Sequence, residues 1–262
     1  MVPTTGQEVL QEGSRVISKL TARDYNAEYK DNTRKYAYDF DYMLRDYMMQ
    51  TFQPFLTKGK ALEMGCYKGE FTKTICKHFT DVTVIEGADE LIDYTKQQVG
   101  DHVKFIHSTF ESVELEATYD SIFLLHTLEH LDDPVLVLKR VNNWLSESGR
   151  FFLVVPNANA PSRQIAVKMG LVPYNSAVIE SERLHGHRKT YSLDTLEHDA
   201  LSGGLKVIHR GGIFFKPLAS SQFDEALAAN VITRDYLEGC YKLGMIYPDL
   251  CASIFLVCEK GD

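Results

Sequence analysis

The chain has 262 residues, 44% of them hydrophobic and 24% charged, enough for one large α/β domain with a full core or a domain with a cap. Its formal charge of −8 repels polyanions and argues against nucleic acid or an anionic membrane surface as a partner. The start, MVPTTGQEVLQEGSR, holds no apolar core of a signal sequence, and no apolar run approaches the ~20 residues of a membrane span. Five cysteines (Cys66, Cys76, Cys240, Cys251, Cys258), odd in number and without a C-x-x-C pair, point to a reduced cytoplasmic protein with neither disulfide framework nor zinc cluster.

Residues 1–57 show no clear strand. Their later part is rich in Tyr and Met at helical spacing, and Pro54 marks its end. From Lys60 short apolar runs alternate with helical stretches. KALEMG (60–65), VTVIEG (82–87), VKFIHS (103–108), YDSIFLLH (119–126) and GRFFLVVP (149–156) read as strands, with helices near 70–79, 89–98 and 133–145. LKVIHRGGIFF and CASIFLVCEK read as two further strands, and helices are expected near 161–169, 192–202 and 220–243. This alternation predicts an α/β fold, a doubly wound, Rossmann-like seven-stranded sheet with crossover helices. Residues 58–262 are expected to form that domain, and 1–57 an N-terminal helical cap. Cap insertions are expected near 157–190 and 216–248.

The first strand ends on Gly65, and Gly69 follows in ALEMGCYKGEF. Glycines at such a turn let backbone approach a ligand closely. The second strand ends at Glu86, 21 residues beyond Gly65, where an acid can accept hydrogen bonds from both hydroxyls of a ribose. A nucleoside-containing ligand is implied. G-C-Y-K-G is one glycine short of a dinucleotide fingerprint, and Glu70 stands where a phosphate-binding loop needs Lys. Glu63, beside the turn, suits a ligand bearing an ammonium group better than one bearing a pyrophosphate.

LEMGCYKGEF resembles motif I of the class I S-adenosylmethionine-dependent methyltransferases, with Tyr67 where many members carry another glycine. VIEGADELI is similar to their second motif, STFESV to their third, and YDSIFLLHTLEHLDDP to their fourth strand and the segment after it. The resemblance covers roughly residues 58–157 in order and spacing. It implies that Glu63, Gly65, Cys66, Tyr67 and Gly69 frame the methionine end of S-adenosylmethionine (S-adenosylhomocysteine as product). It further implies that Glu86 and Gly87 meet the ribose, that Ser108, Thr109 and Phe110 lie near the adenine, and that His126 borders the cofactor. Ser108 stands where the family often has Asp. By the same resemblance N-terminal helices close over the cofactor. One or two of Tyr25, Tyr29, Tyr36, Tyr38 and Tyr42 would then touch it, and Arg34 or Lys35 would pair with its carboxylate.

Methyl transfer to a hydroxyl needs in-line positioning and an acceptor for the proton. If HTLEH opens a helix, His126, Glu129 and His130 share one face, placed either to hold a divalent metal or to act as a base with an orienting acid. The segment is similar to the E-x-x-E-H of ubiquinone-pathway and small-RNA 2′-O-methyltransferases, which bind a metal with a distal histidine, but His126 replaces the first acid. SERLHGHRKTY supplies His185 and His187 as distal candidates. Arg163, Arg183, Arg188 and Lys216 are read as contacts for a carboxylate or phosphate on a small, anionic acceptor.

The expected activity is O-methylation of a small polar acceptor (a sugar, a glycan-linked group or a natural-product intermediate) with a histidine general base. N-methylation of a small amine is the alternative. A nucleotide-dependent oxidoreductase and a non-catalytic cofactor-binding subunit are the alternatives of other classes. Whether a metal is bound stays open, as does a homodimer.

Overall fold

The computed structural model describes residues 23–31 and 38–262. Arg34, Lys35 and Tyr36, singled out above, lie outside the described residues, as does the side chain of Tyr29. The seven expected strands are all present: β1 (Lys60–Met64), β2 (Asp81–Glu86), β3 (Val103–His107), β4 (Tyr119–Leu125), β5 (Leu145–Pro156), β6 (Lys206–Phe215) and β7 (Cys251–Glu259). They form one sheet in the order β3-β2-β1-β4-β5-β7-β6. The strand pairs from β3 through β5 are parallel, whereas β7 runs antiparallel to both β5 and β6.

Strand side chains alternate between two faces, and here both faces are covered, so the strands are apolar nearly throughout. Ile122 and Leu124, Phe151 and Leu153, and Ile254 and Leu256 point to one core; Phe123, Phe152, Val154 and Phe255 point to the other. Against the first core pack α5 (Pro134–Trp144), through Val137, Leu138 and Val141, and α8 (Leu193–Ser202), through Leu193, Leu196 and Ala200. Against the second pack α2 (Asp39–Phe52), α3 (Glu70–Ile75) and α10 (Arg234–Ile246). The Tyr/Met-rich stretch thus places α2 on the sheet itself. Phe52 lies 4.9 Å from the Phe152 ring, and Phe152 stacks on Phe123 at 4.9 Å.

Two expected helices differ in extent. The helix placed at 70–79 ends at Ile75, whose carbonyl accepts from both His78 and Phe79 as the chain tightens to bury Phe79 beside Phe123. The helix placed at 220–243 is two: α9 (Ser220–Ala228) and α10, broken where Asn230 takes φ +55° and Thr233 caps the second through Tyr236 N–H. The remaining helices are α1 (Tyr25–Asp31), α4 (Asp89–Val99), α6 (Pro161–Lys168) and α7 (Glu180–Leu184). No helix among the described residues is long and apolar enough to cross a membrane. All five cysteines are unbridged.

Neighbours β1 and β4 leave in opposite directions along the sheet, so their carboxyl ends open the crevice where ligands of doubly wound folds bind. Gly65, Glu86 and His126 stand at the ends of β1, β2 and β4, at one rim of that crevice.

Candidate active site

A cavity of about 1090 Å³ opens at this rim. It is lined by Glu63, Gly65, Cys66, Tyr67, Glu86, Gly87, Ser108, Thr109, Phe110 and His126, ten of the eleven residues that the sequence offers for the cofactor. Gly69 is not in its lining. Gly69 takes φ +77° at the start of α3, and a Cβ there would come within 2.6 Å of Thr95 Cγ2, so its glycine serves the turn and its packing on α4. Tyr67 holds φ +49°, in the left-handed region that glycine enters most freely.

Glu86 fixes the turn to the second strand. Its Oε2 accepts from the backbone N–H groups of Cys66 (3.1 Å) and Tyr67 (3.3 Å), and Oε1 accepts from Ala88 N–H (3.0 Å). The carboxylate is thereby held with its face to the cavity, in position to receive a pair of hydroxyls. Glu63 is buried beneath the turn and accepts 2.6 Å from Thr72 Oγ1. Burial, reinforced by the nearby Glu86, pushes it up to about 8, while the Thr72 bond and the charge of Arg45 pull the other way. Arg45, on α2, lines the cavity on the side of Glu63, with Tyr38 two helical turns before it. An acid and a guanidinium flanking one end of a cavity match an α-amino acid zwitterion. Tyr25, from α1, closes on Gly87, where a Cβ would lie 2.9 Å from its ring.

The expected helical face of His126, Glu129 and His130 does not form. His126 ends β4 with φ +49°, and its Nε2 lies 2.8 Å from Ser253 Oγ. Only Leu128–His130 turn helically, as a single 3₁₀ turn. The residues brought together are instead Glu129, His130 and His187, each offering a donor atom within 4.8 Å of the others. His130 Nε2 stands 3.8 Å from Glu129 Oε1, and the His130 and His187 rings meet edge-on at 4.7 Å. His130 lines the large cavity; Glu129 and His187 line a small pocket behind it. His185 also lines the large cavity but stands outside the trio.

The segment carrying His187 is fixed from several sides. Arg188 N–H donates to the Glu129 carbonyl (2.8 Å) and Ala158 N–H to the Tyr191 carbonyl (2.8 Å). Tyr191 Oη (3.0 Å) and Lys189 Nζ (2.6 Å) both donate to the buried Asp199. Burial and Asp199 push the Tyr191 phenol up.

Two of the four cations read as acceptor contacts do other work. Arg163 is tied to Glu182 and to the carbonyls of Asn175 and Ala177. Lys216 is lowered by burial, donates to Ser220 Oγ and lies over the Phe40 ring. Arg183 and Arg188 do line the cavity. Sequence reasoning missed Arg45 and also Arg23, which donates to the His130 carbonyl at 3.0 Å. The one signal for Arg45 in the sequence is its place as a lone cation in a Tyr/Met-rich helix.

Comparison with known proteins bears on the family and the fold. The family model described as "Methyltransferase domain" matches residues 36–210, and the chain belongs to that family. It is 25% identical over 177 residues to a ubiquinone biosynthesis O-methyltransferase of Coxiella burnetii, covering 66% of this chain and 74% of that protein. A protein of the same name from Colwellia psychrerythraea is 25% identical over 190 residues, covering 70% and 74%. Among solved structures, a methyltransferase of Thermotoga maritima described as a possible histamine N-methyltransferase superposes with a TM-score of 0.59 at 14% identity, over 96% of this chain and 95% of that one. The N-methyltransferase NodS of Bradyrhizobium japonicum, in complex with S-adenosyl-L-homocysteine, gives 0.55 at 12% identity, over 87% and 91%. The enzyme is a methyltransferase and its cofactor is S-adenosylmethionine. With that, the oxidoreductase alternative falls away.

Proposed function

We propose that this methyltransferase methylates a hydroxyl of a small polar acceptor, such as a sugar, a glycan-linked group or a natural-product intermediate, with His130 as general base. One observation carries the reading: His130 opens onto the cavity while Glu129 and His187 back its ring. The ubiquinone biosynthesis O-methyltransferases to which the chain is similar favour an oxygen acceptor.

In this reading Glu86 receives the ribose hydroxyls, and Ser108, Thr109 and Phe110 flank the adenine. Glu63 and Arg45 take the ammonium and carboxylate of the methionine end. S-adenosylmethionine supplies an electrophilic methyl on its sulfonium. His130 removes the acceptor's proton as the oxygen attacks, and Glu129 Oε1, 3.8 Å from Nε2, stabilises the imidazolium that results. His187 holds the edge of the ring. Among the described residues, α1 and the segment near 157–190, which line the cavity and the small pocket beside it, serve as the cap of the domain, whereas α2 and α10 belong to its core. With a formal charge of −8, no nucleic acid is proposed as acceptor.

A second reading of the same trio rests on its donor set. Glu129, His130 and His187 offer one carboxylate and two imidazoles, a set suited to a divalent ion such as zinc. An ion there would acidify the acceptor hydroxyl in place of a base.

The experiment is to incubate the enzyme with ¹³C-methyl S-adenosylmethionine and either a small-molecule cell extract or 3,4-dihydroxybenzoate, then read the product by NMR. An O-methyl resonance is expected. A product methylated only on nitrogen would turn the assignment to an amine acceptor, which needs no strong base.

A further inference from the structure

Five cations stand in this region: Arg23, Arg183 and Arg188 line the cavity with His130, and Arg163 and Lys189 line the small pocket with Glu129 and His187. Four are matched by acids: Arg23 by Glu28 (2.7 Å), Arg163 by Glu182, Arg188 by Asp132 and Lys189 by Asp199 (2.6 Å). Arg183 is the exception. Among the described residues its guanidinium takes part in no hydrogen bond or ion pair, yet it lines the cavity. Arg183 is exposed where it lines the cavity, so its guanidinium is open to a ligand there. A guanidinium presents a planar fork of donors that fits a carboxylate or phosphate two bonds at a time.

The surroundings of Arg183 limit what that anion is attached to. Leu184, 73% exposed, and Leu131, 7% exposed, line the same cavity as His130 and His185. A leucine left so open beside a cation suits a ligand with an apolar body and a charged end. The net charge of −8 disfavours a polyanion, so the anion belongs to a small molecule.

We propose that the methyl acceptor is an anionic small molecule whose carboxylate or phosphate is bound by Arg183, leaving its hydroxyl toward His130. Arg183 is then a specificity residue: it touches the acceptor at the end away from the reacting oxygen. This inference rests on the reading of the His130 half of the cavity as the acceptor site.

The test is calorimetry on the protein loaded with S-adenosylhomocysteine, using 3,4-dihydroxybenzoate, phenyl phosphate and the neutral 3,4-dihydroxybenzamide as probes. One of the two anions should bind at least about tenfold more tightly than the amide, and which one does so identifies the anion. Arg183→Ala should remove that preference and Arg183→Lys should retain part of it, with S-adenosylhomocysteine affinity unchanged in both. If the amide binds as tightly as both anions, or Arg183→Ala keeps the preference, the anionic acceptor is wrong while the acceptor site stands. If none of the three binds at millimolar concentration, both readings fall together.

Discussion

Thr72 Oγ1 donates a 2.6 Å hydrogen bond to Glu63 Oε2 at a place where the carboxylate is closed off from water. The bond does not offset the cost of burying the charge, and Glu63 rises from 4.5 to about 8. Between those two values the folded protein holds a proton that the unfolded chain has released. Stability therefore falls as pH climbs from about 4.5 to about 8, and the loss is complete above that. Glu63→Gln keeps an oxygen for Thr72 and removes the titration. It should be more stable than the parent at about pH 8.5 by about 2–4 kcal/mol, with the gap closing toward about pH 5. Parallel plots of melting temperature against pH for the two proteins would exclude this.

Arg45 and Glu63 flank one end of the cavity, and their proposed partner is the amino acid end of the cofactor. Arg45→Ala should weaken S-adenosylhomocysteine binding by about 1–3 kcal/mol, the range for a lost hydrogen bond to a charged group. Binding of 5′-methylthioadenosine, which lacks the amino acid, should not change. Equal losses for both ligands, measured by calorimetry, would place Arg45 elsewhere.

Glu86 accepts from Cys66, Tyr67 and Ala88 N–H as well as facing the cavity. Glu86→Gln preserves most of the shape and should cost about 1–3 kcal/mol in affinity for S-adenosylhomocysteine. It should cost far less for S-adenosylhomocysteine lacking both ribose hydroxyls. An unchanged preference for the natural ribose would refute the ribose role.

Removal of divalent ions separates the two readings of the trio. Under the base reading, turnover survives EDTA. Under the metal reading, EDTA abolishes turnover, an added divalent ion restores it, and His187→Ala lowers metal affinity measured by calorimetry.

Much of this was legible along the chain because it is local. Each strand from β1 to β5 is an apolar run ending close to a glycine, an acid, a histidine or a proline, and the 21-residue step from Gly65 to Glu86 brings two strand ends side by side. What stayed hidden depends on partners distant in sequence. His126 is held by Ser253 on the last strand, and no helical spacing announces that bond. His187 joins His130 across 57 positions because Asp199 and the Glu129 carbonyl fix the segment that carries it. Arg163 and Lys216 looked like substrate contacts by charge alone, and only folding shows Glu182 and Asp41 beside them. The break between α9 and α10 was signalled by Asn230 and Thr233, a left-handed turn and a cap inside an otherwise continuous helical pattern.

One cavity, in this account, binds the cofactor at the glycine turn and presents the acceptor hydroxyl to His130. The most direct measurement is turnover of His130→Ala on the identified acceptor, alongside its S-adenosylhomocysteine dissociation constant. Turnover should fall by about 10²–10⁴ with cofactor affinity within about twofold of the parent, because the residue acts on the proton rather than on the cofactor. Full turnover in His130→Ala, with affinity intact, would contradict the account.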